Sequence, residues 1–326
     1  MIVIGRETVA RQLTYAVCIP LMREAMIALS QGHTRQLLRG ILDLGDGNML
    51  GVMPGAMDGS AFGAKLVSVY PGNFAKGGPS HQGVIALFDP ADGAPICLVD
   101  AGEVTAIRTA AASAAATDVL ARADAHHLAI LGYGEQAWRH AGAVAAVREL
   151  SRVTVWGRSP NVADTFAKRV RDDLGLNCMA APSVEAAVAE ADIVCTTTAA
   201  PEPILFSRQV AAGTHLNLVG SSRAGPSEVE TALVARVRLF ADHREGVLAQ
   251  GAEFLNAKAE GLVDDAHVLG EIGEVMAGTL PGRLSDADVT AYKSLGSVVQ
   301  DIACAWKLYQ AAREGGSDFG AQVVEL

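Results

Sequence analysis

The sequence predicts an α/β chain in which a doubly wound parallel sheet follows an N-terminal α+β region. Three observations carry this reading. From His126 onward, strand-like runs alternate with helical ones: HLAILG then EQAWRHAGAVAAVREL, VTVWG then NVADTFAKRVRDDLG, SVEAAVAEA then DIVCTTT, with HLNLVG and VRLFAD beyond. Such alternation implies parallel strands joined by crossover helices. Between residues 40 and 100 the texture differs, with short β-rich runs MLGVMP, AKLVSVY, GVIALFD and PICLVD separated by the turns LGDGN, YPGN and DPADG. That is the pattern of a mostly antiparallel sheet. Third, the first of the alternating strands ends in LGYGEQA, a glycine turn that opens a helix.

The remaining elements follow in order. Leu13, Val17, Leu21, Ala25 and Leu29 recur near helical spacing, so residues 8 to 30 are read as helix, stopped at Gly32 and split in two at Pro20. Glu103 to Ala121 is a helix by its alanine content. The chain closes with YKSLGSVVQDIACAWKLYQAAREGG, read as one long helix. With 326 residues, half of them apolar and 19% charged, two domains with large cores are expected. The net charge of -10 argues against a nucleic-acid partner but not against a small anionic substrate, because a few arginines can dominate one pocket. Cys18, Cys97, Cys178, Cys195 and Cys304 are widely spaced, with no Cys-x-x-Cys, and are read as reduced thiols with no metal site. The start MIVIGRETVAR lacks a secretory pattern, and apolar runs break before the ~20 residues of a membrane span. A cytoplasmic protein with no membrane partner is expected.

The glycine turn is Gly132-x-Gly134-x-x-Ala137. Gly132 allows the tight turn, Gly134 lets a pyrophosphate approach the backbone, and the helix N-terminus supplies N–H groups and positive dipole. In its strand–turn–helix setting the motif predicts a Rossmann doubly wound parallel sheet that binds a dinucleotide, with Glu135 and Gln136 beside it. The bland alternative is a plain glycine turn. An NAD enzyme usually ends the next strand with an acid that holds the ribose 2′-hydroxyl. Here VTVW ends in Gly157-Arg158-Ser159-Pro160, which has no acid to repel a 2′-phosphate and two residues able to bind one. NADPH is therefore expected over NADH; a solvated arginine is the alternative.

The strand HLNLV ends in Gly220-Ser221-Ser222-Arg223, at the kind of sheet edge where chemistry sits, yet this turn holds no carboxylate. Taken together, LGVMPG, AKLVSVYPGN, PSHQGVIALFDP, GEVTAIRTAAASA, ILGYGEQA, ADIVCTTTAAPEPIL, HLNLVGSSR and YKSLGSVVQD resemble the ornithine cyclodeaminase/mu-crystallin family over most of the chain. The resemblance implies an N-terminal α+β substrate-binding and dimerisation domain, residues 1–118, completed by the C-terminal helix 295–326. It implies a Rossmann domain over 119–294, and a homodimer. Cyclodeaminases of the family carry a catalytic Asp two residues after the strand-ending glycine, where this chain has Ser222. Ser222-Arg223 resembles instead the mu-crystallin branch, which reduces cyclic ketimines with NADPH. The chain departs from that branch at Ala224-Gly225-Pro226.

By the same resemblance, Arg39, Lys65 and Arg108 hold the substrate carboxylate, with Ser222 and Arg223 also on the substrate side. Arg35 competes with Arg39. Arg39 and Arg108 as structural ion pairs are the plain alternative. Lys65 is the candidate proton donor, His81 its competitor, and Ser222 completes the candidate catalytic set. Thr109, Thr196, Thr197, Val219, Ser221, Ser294 and Gly296 are expected on the cofactor side; strand packing is the alternative for the threonines. A preformed cyclic C=N is electrophilic once protonated, so its reduction asks mainly that the carboxylate be held, the ring oriented and water excluded, which an edge without an acid can serve. The expected activity is NADPH-dependent reduction of pyrroline-2-carboxylate or piperideine-2-carboxylate to L-proline or L-pipecolate. Ornithine or lysine cyclodeamination with NAD, 3-hydroxyproline dehydration, alanine-dehydrogenase-like imine reduction and NADPH binding without catalysis are the alternatives.

Overall fold

Arg108 and Thr109 mark a division. The computed structural model, which describes residues 1–325, separates into a first unit of residues 1–108 with the chain from Ser297 onward, and a second unit of residues 109–296. The expected boundary, 118/119, lies ten residues further on, within the same helix. The reason is local. Ser113 Oγ bonds His140 Nε2 at 2.9 Å, and Asn217 Nδ2 donates to Thr117 Oγ1 at 2.9 Å, so the end of this helix belongs with the second unit.

The chain begins with β1 (Ile2–Ile4), α1 (Arg6–Gln12), α2 (Tyr15–Ser30), β2 (Thr34–Gln36), β3 (Gly40–Gly45), β4 (Asn48–Met57), β5 (Phe62–Val69), β6 (His81–Phe88), β7 (Pro95–Asp100) and α3 (Ala101–Leu120). The first unit adds a closing helix, Val298–Gly315, and a closing strand, Gln322–Val323. Its sheet runs closing strand–β1–β7–β6–β5–β4–β2, with β3 on β4; β1 and β7 are parallel and the other pairs antiparallel. On the inner face Lys65 and Val67 of β5 and Ile85 and Leu87 of β6 are buried, while Phe62, Leu66 and Val84 point outward. The closing helix packs on β4, β5 and β6 and against α2 through Ala25, Val299 and Ala303. A Cβ at Gly55 of β4 would fall 2.6 Å from Val298 Cγ1, so the helix comes close because that residue is glycine.

Two expectations need correction. Pro20 does not split the first helix; it sits inside α2. The break comes at Leu13-Thr14, where the backbone leaves helical geometry and α2 turns 87° from α1. Thr14 is a residue type favoured in that N-cap position. Nor is YKSL helical. Thr290–Lys293 is a strand, all four residues buried, and the closing helix starts only at Val298, after Gly296 at φ 87° and the N-cap Ser297. A fully buried strand shows no alternation to distinguish it from helix.

The second unit continues with β8 (His127–Leu131), α4 (Glu135–Ala145), β9 (Arg152–Trp156), α5 (Pro160–Leu174), β10 (Cys178–Ala180), α6 (Val184–Val188), β11 (Ile193–Thr196), β12 (His215–Leu218), α7 (Thr231–Arg236), β13 (Arg238–Ala241), α8 (Arg244–Gln250), α9 (Ala252–Ala259), β14 (Val268–Glu271), α10 (Ile272–Met276) and β15 (Thr290–Lys293). Its sheet order is β10–β9–β8–β11–β12–β15–β13–β14, parallel throughout. The order reverses between β8 and β11, so this is a doubly wound sheet with its switch point there. The residues fit the elements. Pro160 opens α5, and Gly175 at φ 67° closes it in the left-handed conformation. All five cysteines are buried and unbridged. Among the described residues no single helix is long and apolar enough to cross a membrane.

Candidate functional site

The inward side of β5 places Lys65 in an apolar wall, where an ammonium needs a partner. It has one. Lys65 Nζ donates to Asp301 Oδ2 at 2.8 Å and to Thr105 Oγ1 at 3.3 Å. Arg108, from α3, reaches the other oxygen: Nε donates to Asp301 Oδ1 at 3.0 Å, and Nη1 to Gln300 Oε1 at 2.7 Å. Lys65 and Arg108 are each 3% exposed and Asp301 is fully buried. One carboxylate of the closing helix therefore orients two cations. Burial pulls the Lys65 pKa down to about 8, against the attraction of Asp301 and with help from Arg108 and Arg39. Burial alone would raise Asp301, but Arg108 and Lys65 outweigh it and hold the carboxyl below its usual value.

Arg39 is half-buried between β2 and β3, and its charge lowers the pKa of both Lys65 and His81. Arg35 is different: it is exposed and engaged by Asp58 at 2.7 Å. His81 starts β6 with Nδ1 bonded to Ser80 Oγ at 2.8 Å; its surroundings, then Lys65 and Arg39, hold it below the usual histidine pKa. Lys65, Arg108, Arg39 and His81 thus form one electrostatic group in the first unit.

The second unit gathers the dinucleotide candidates along the C-terminal edge of its sheet. Gly132 has φ 125°, and a Cβ there would fall 2.7 Å from Thr197 Oγ1. Thr197 Oγ1 itself donates to the Leu131 carbonyl at 3.0 Å. Gly134 is the N-cap of α4; it makes no side-chain cap bond, and the space where its Cβ would lie is open. The first N–H groups of α4 are thus left uncapped by the N-cap side chain beside an open space, which suits a pyrophosphate. Glu135 is exposed on the first turn, and Gln136 Oε1 is buried with no hydrogen-bond partner. Arg158 is exposed after β9, and Ser159 is the N-cap of α5 without a side-chain cap bond.

Further along the edge, Val219 and Gly220 both donate to the Thr196 carbonyl at 3.1 Å, and Ser294 N–H donates to the Leu218 carbonyl at 3.0 Å. Ser294 Oγ is buried without a partner, as a ribose or amide contact would leave it in its absence, whereas the Thr196 hydroxyl lies against the Glu228 carboxyl. Gly296 N–H is held by Asp242 Oδ2. Thr109 is buried in α3. Ser222 and Arg223 are exposed in the turn after β12, whereas Ser221 is buried, its hydroxyl donating to the Pro226 carbonyl at 2.6 Å. The orphan Ser294 hydroxyl, open helix start and glycine turn fit a nicotinamide dinucleotide.

Asp301 and Glu228 were not foreseen. Asp301 was signalled by an acid on an otherwise apolar helix stretch, between Val298-Val299 and Ile302-Ala303-Cys304. Glu228 corrects the view that the β12 edge lacks a carboxylate: its side chain returns to Gly220 N–H at 2.8 Å and Thr198 N–H at 2.6 Å. Nothing local in SEVE announces this.

The family model described as Ornithine cyclodeaminase/mu-crystallin family matches residues 2–316. A Delta(1)-pyrroline-2-carboxylate reductase of Bacillus cereus is 35% identical over 267 residues, covering 81% of this chain and 82% of that protein. Ketimine reductase mu-crystallin of Mus musculus is 36% identical over 267 residues, covering 82% of this chain and 81% of its own. Among solved structures, Thermococcus litoralis Delta(1)-pyrroline-2-carboxylate reductase in complex with NADH and L-proline matches with a TM-score of 0.94 at 32% identity, over 97% of this chain and 98% of that chain.

Proposed function

The chain belongs to the ornithine cyclodeaminase/mu-crystallin family, and on that premise we propose that it is an NAD(P)H-dependent oxidoreductase that reduces the C=N bond of small cyclic imino acids. The substrates would be pyrroline-2-carboxylate or piperideine-2-carboxylate, and the products L-proline or L-pipecolate. The observation that carries this is the Lys65–Asp301–Arg108 cluster, a preorganised pair of buried cations suited to a carboxylate. Arg108 would bind the substrate carboxylate as a planar fork, with Arg39 adding charge. Lys65, with a pKa of about 8, would give its proton to the imine nitrogen, and His81 would stand by as part of the same group. When bound, the reduced dinucleotide supplies the hydride to the imine carbon. Ser222 and Arg223, in the exposed turn of the second unit, are kept as substrate-side candidates. A serine in place of a carboxylate at that turn favours imine reduction over cyclodeamination, whose later steps move protons.

The test is dinucleotide oxidation against five- and six-membered cyclic imines, pyruvate with ammonia or methylamine, and ornithine in reverse with NAD. No turnover of either cyclic imine would refute the reading; ammonia released from ornithine would replace it with cyclodeamination.

NADPH is the proposed cofactor, on the strength of Arg158 and Ser159 at the start of α5. Arg158→Glu is expected to raise the KM for NADPH by roughly tenfold or more, the value of a hydrogen bond to a charged group, and to leave that for NADH nearly unchanged. Equal efficiency of the two cofactors in the unaltered protein would remove Arg158 from this role.

A homodimer through the outer face of the first sheet is also proposed. Val52, Leu66 and Val84 lie in register across β4, β5 and β6 and are 39%, 41% and 39% exposed. Phe62 and Phe88 stack beside them at 5.5 Å. A contiguous apolar patch of this kind marks an interaction surface. Leu66→Glu is expected to sediment as a monomer where the unaltered chain sediments as a dimer; two identical profiles would dismiss this face.

A further inference from the structure

The turn after β12 is held by a buried carboxylate that the proposed chemistry does not use. Glu228 is fully buried. Its Oε1 accepts from the N–H and the hydroxyl of Thr198, each at 2.6 Å, and its Oε2 accepts from Gly220 N–H at 2.8 Å. One side chain thus ties the loop leaving β11 to the loop leaving β12. The backbone of Glu228 is fixed in turn: its carbonyl accepts from Ile204 N–H at 2.9 Å and Leu205 N–H at 3.1 Å, and Val229 bridges Leu205. The tie leaves no room for a side chain. A Cβ at Gly220 would fall 2.1 Å from the Thr198 carbonyl oxygen and 2.5 Å from Glu228 Cδ.

A cation secures the next peptide. Lys293, 1% exposed at the end of β15, donates to the Ser221 carbonyl at 2.6 Å and pairs with the buried Glu253 at 2.7 Å. Hydrogen bonds in which one partner is ionised are about twice as strong as neutral ones, and low-dielectric surroundings strengthen them. Burial pushes the Glu228 pKa up against the hydrogen bonds from Thr198 and the charge of Lys293, and the two buried side chains, Glu228 and Lys293, spend their bonds on three edge positions: Thr198, Gly220 and Ser221.

We propose that Glu228 is a positioning residue for hydride transfer. By locking Thr198 to Gly220 it sets the edge of Thr196, Val219 and Ser221 against which the nicotinamide half of the dinucleotide lies. The Gly132–Gly134 turn and Arg158, on the phosphate and adenosine side, make none of these bonds. The inference rests on the dinucleotide reading of the second unit and goes beyond it by assigning one residue to one half of the ligand.

Glu228→Gln tests it. The amide keeps the volume and one acceptor, but turns an NH2 toward one of the two backbone donors. The full chain is titrated with NADPH and, separately, with ADP-ribose 2′-phosphate, the same nucleotide without nicotinamide, and kcat is measured on a cyclic imine. NADH and ADP-ribose replace the pair if the unaltered protein prefers NADH. The affinity for whole dinucleotide and kcat are each expected to fall roughly tenfold or more. The nicotinamide-free nucleotide is expected to bind within about twofold of the unaltered chain, because the Gly132–Gly134 turn and Arg158 that would hold it make no bond to Glu228. Equal losses for both nucleotides, or no loss for either, overturn the assignment. Should Glu228→Gln not fold, Thr198→Val deletes one donor and is expected to give the same split at smaller amplitude; no split overturns the proposal. Both titrations proceed without imine, so they decide the role of Glu228 even where the substrate reading fails.

Discussion

Replacing Asp301 by asparagine is expected to destabilise the protein by about 3–5 kcal/mol, the usual cost of removing one partner from a buried ion pair. The change is nearly isosteric, so the loss comes from charge. Lys65 and Arg108 both stay buried, and the only carboxylate bonded to either among the described residues is gone. Two further results are expected from the same cause. Asp301 pushes the Lys65 pKa upward, so in the variant the lysine should lose its proton at lower pH. An added product-type amino acid should recover part of the stability, because its carboxylate restores a countercharge to the folded state alone. Denaturant unfolding with and without L-proline reads the loss and its recovery. An unfolding midpoint within error of the unaltered protein would show that Asp301 does not balance these cations.

Lys65→Met is expected to lower kcat for imine reduction by about 100-fold or more, the lower range for loss of a positioned acid. The pH profile gives the sharper readout. Lys65 titrates near pH 8 rather than at the 10.5 of an ordinary lysine. The proton-bearing form donates, so kcat/KM should be flat below about pH 8 and fall about tenfold per unit above it. In Lys65→Met that alkaline limb should vanish. The sign for stability runs the other way. Below pH 8 the buried charge is a full penalty, and the folded state gains as pH rises from about 8 toward 10.5, where only the unfolded chain still binds the proton. Activity and stability should therefore diverge over that interval. His81→Ala should keep the alkaline limb. A profile unchanged in both variants would take both residues off the proton path.

The legibility of this chain varied with the kind of signal. The parallel sheet was readable because its strands alternate with amphipathic helices and because Gly132 and Gly134 occur where a strand meets a helix. The central antiparallel strands were readable from their turns. β1 and β2, at three residues each, are too short to carry a period, and β15 is buried on every side. The cations of the first unit were named from the family resemblance of the segments that carry them. Their shared partner was not, because Asp301 lies 236 residues from Lys65 and 193 from Arg108 in the chain. Pairing over such distances is fixed by packing, which local patterns do not encode. Glu228 was hidden differently. Its sequence neighbourhood is that of a polar turn, and only the bridge of Leu205 to Val229 turns it inward.

The first unit is assembled from two stretches of the chain, residues 1–108 and the segment from Ser297 onward, that flank the second unit in sequence. During synthesis, Lys65 and Arg108 leave the ribosome long before Asp301 does, and so does the sheet that the closing helix must cover. Until the helix Val298–Gly315 emerges, that sheet has an open apolar face and two cations without their counterion. The second unit, contiguous in sequence, has no such wait. Domains generally fold as units during synthesis, and exposed apolar intermediates are prone to aggregate. The order in which the two halves mature is thus written into the path of the chain, and the half that carries the Lys65–Asp301–Arg108 cluster comes last.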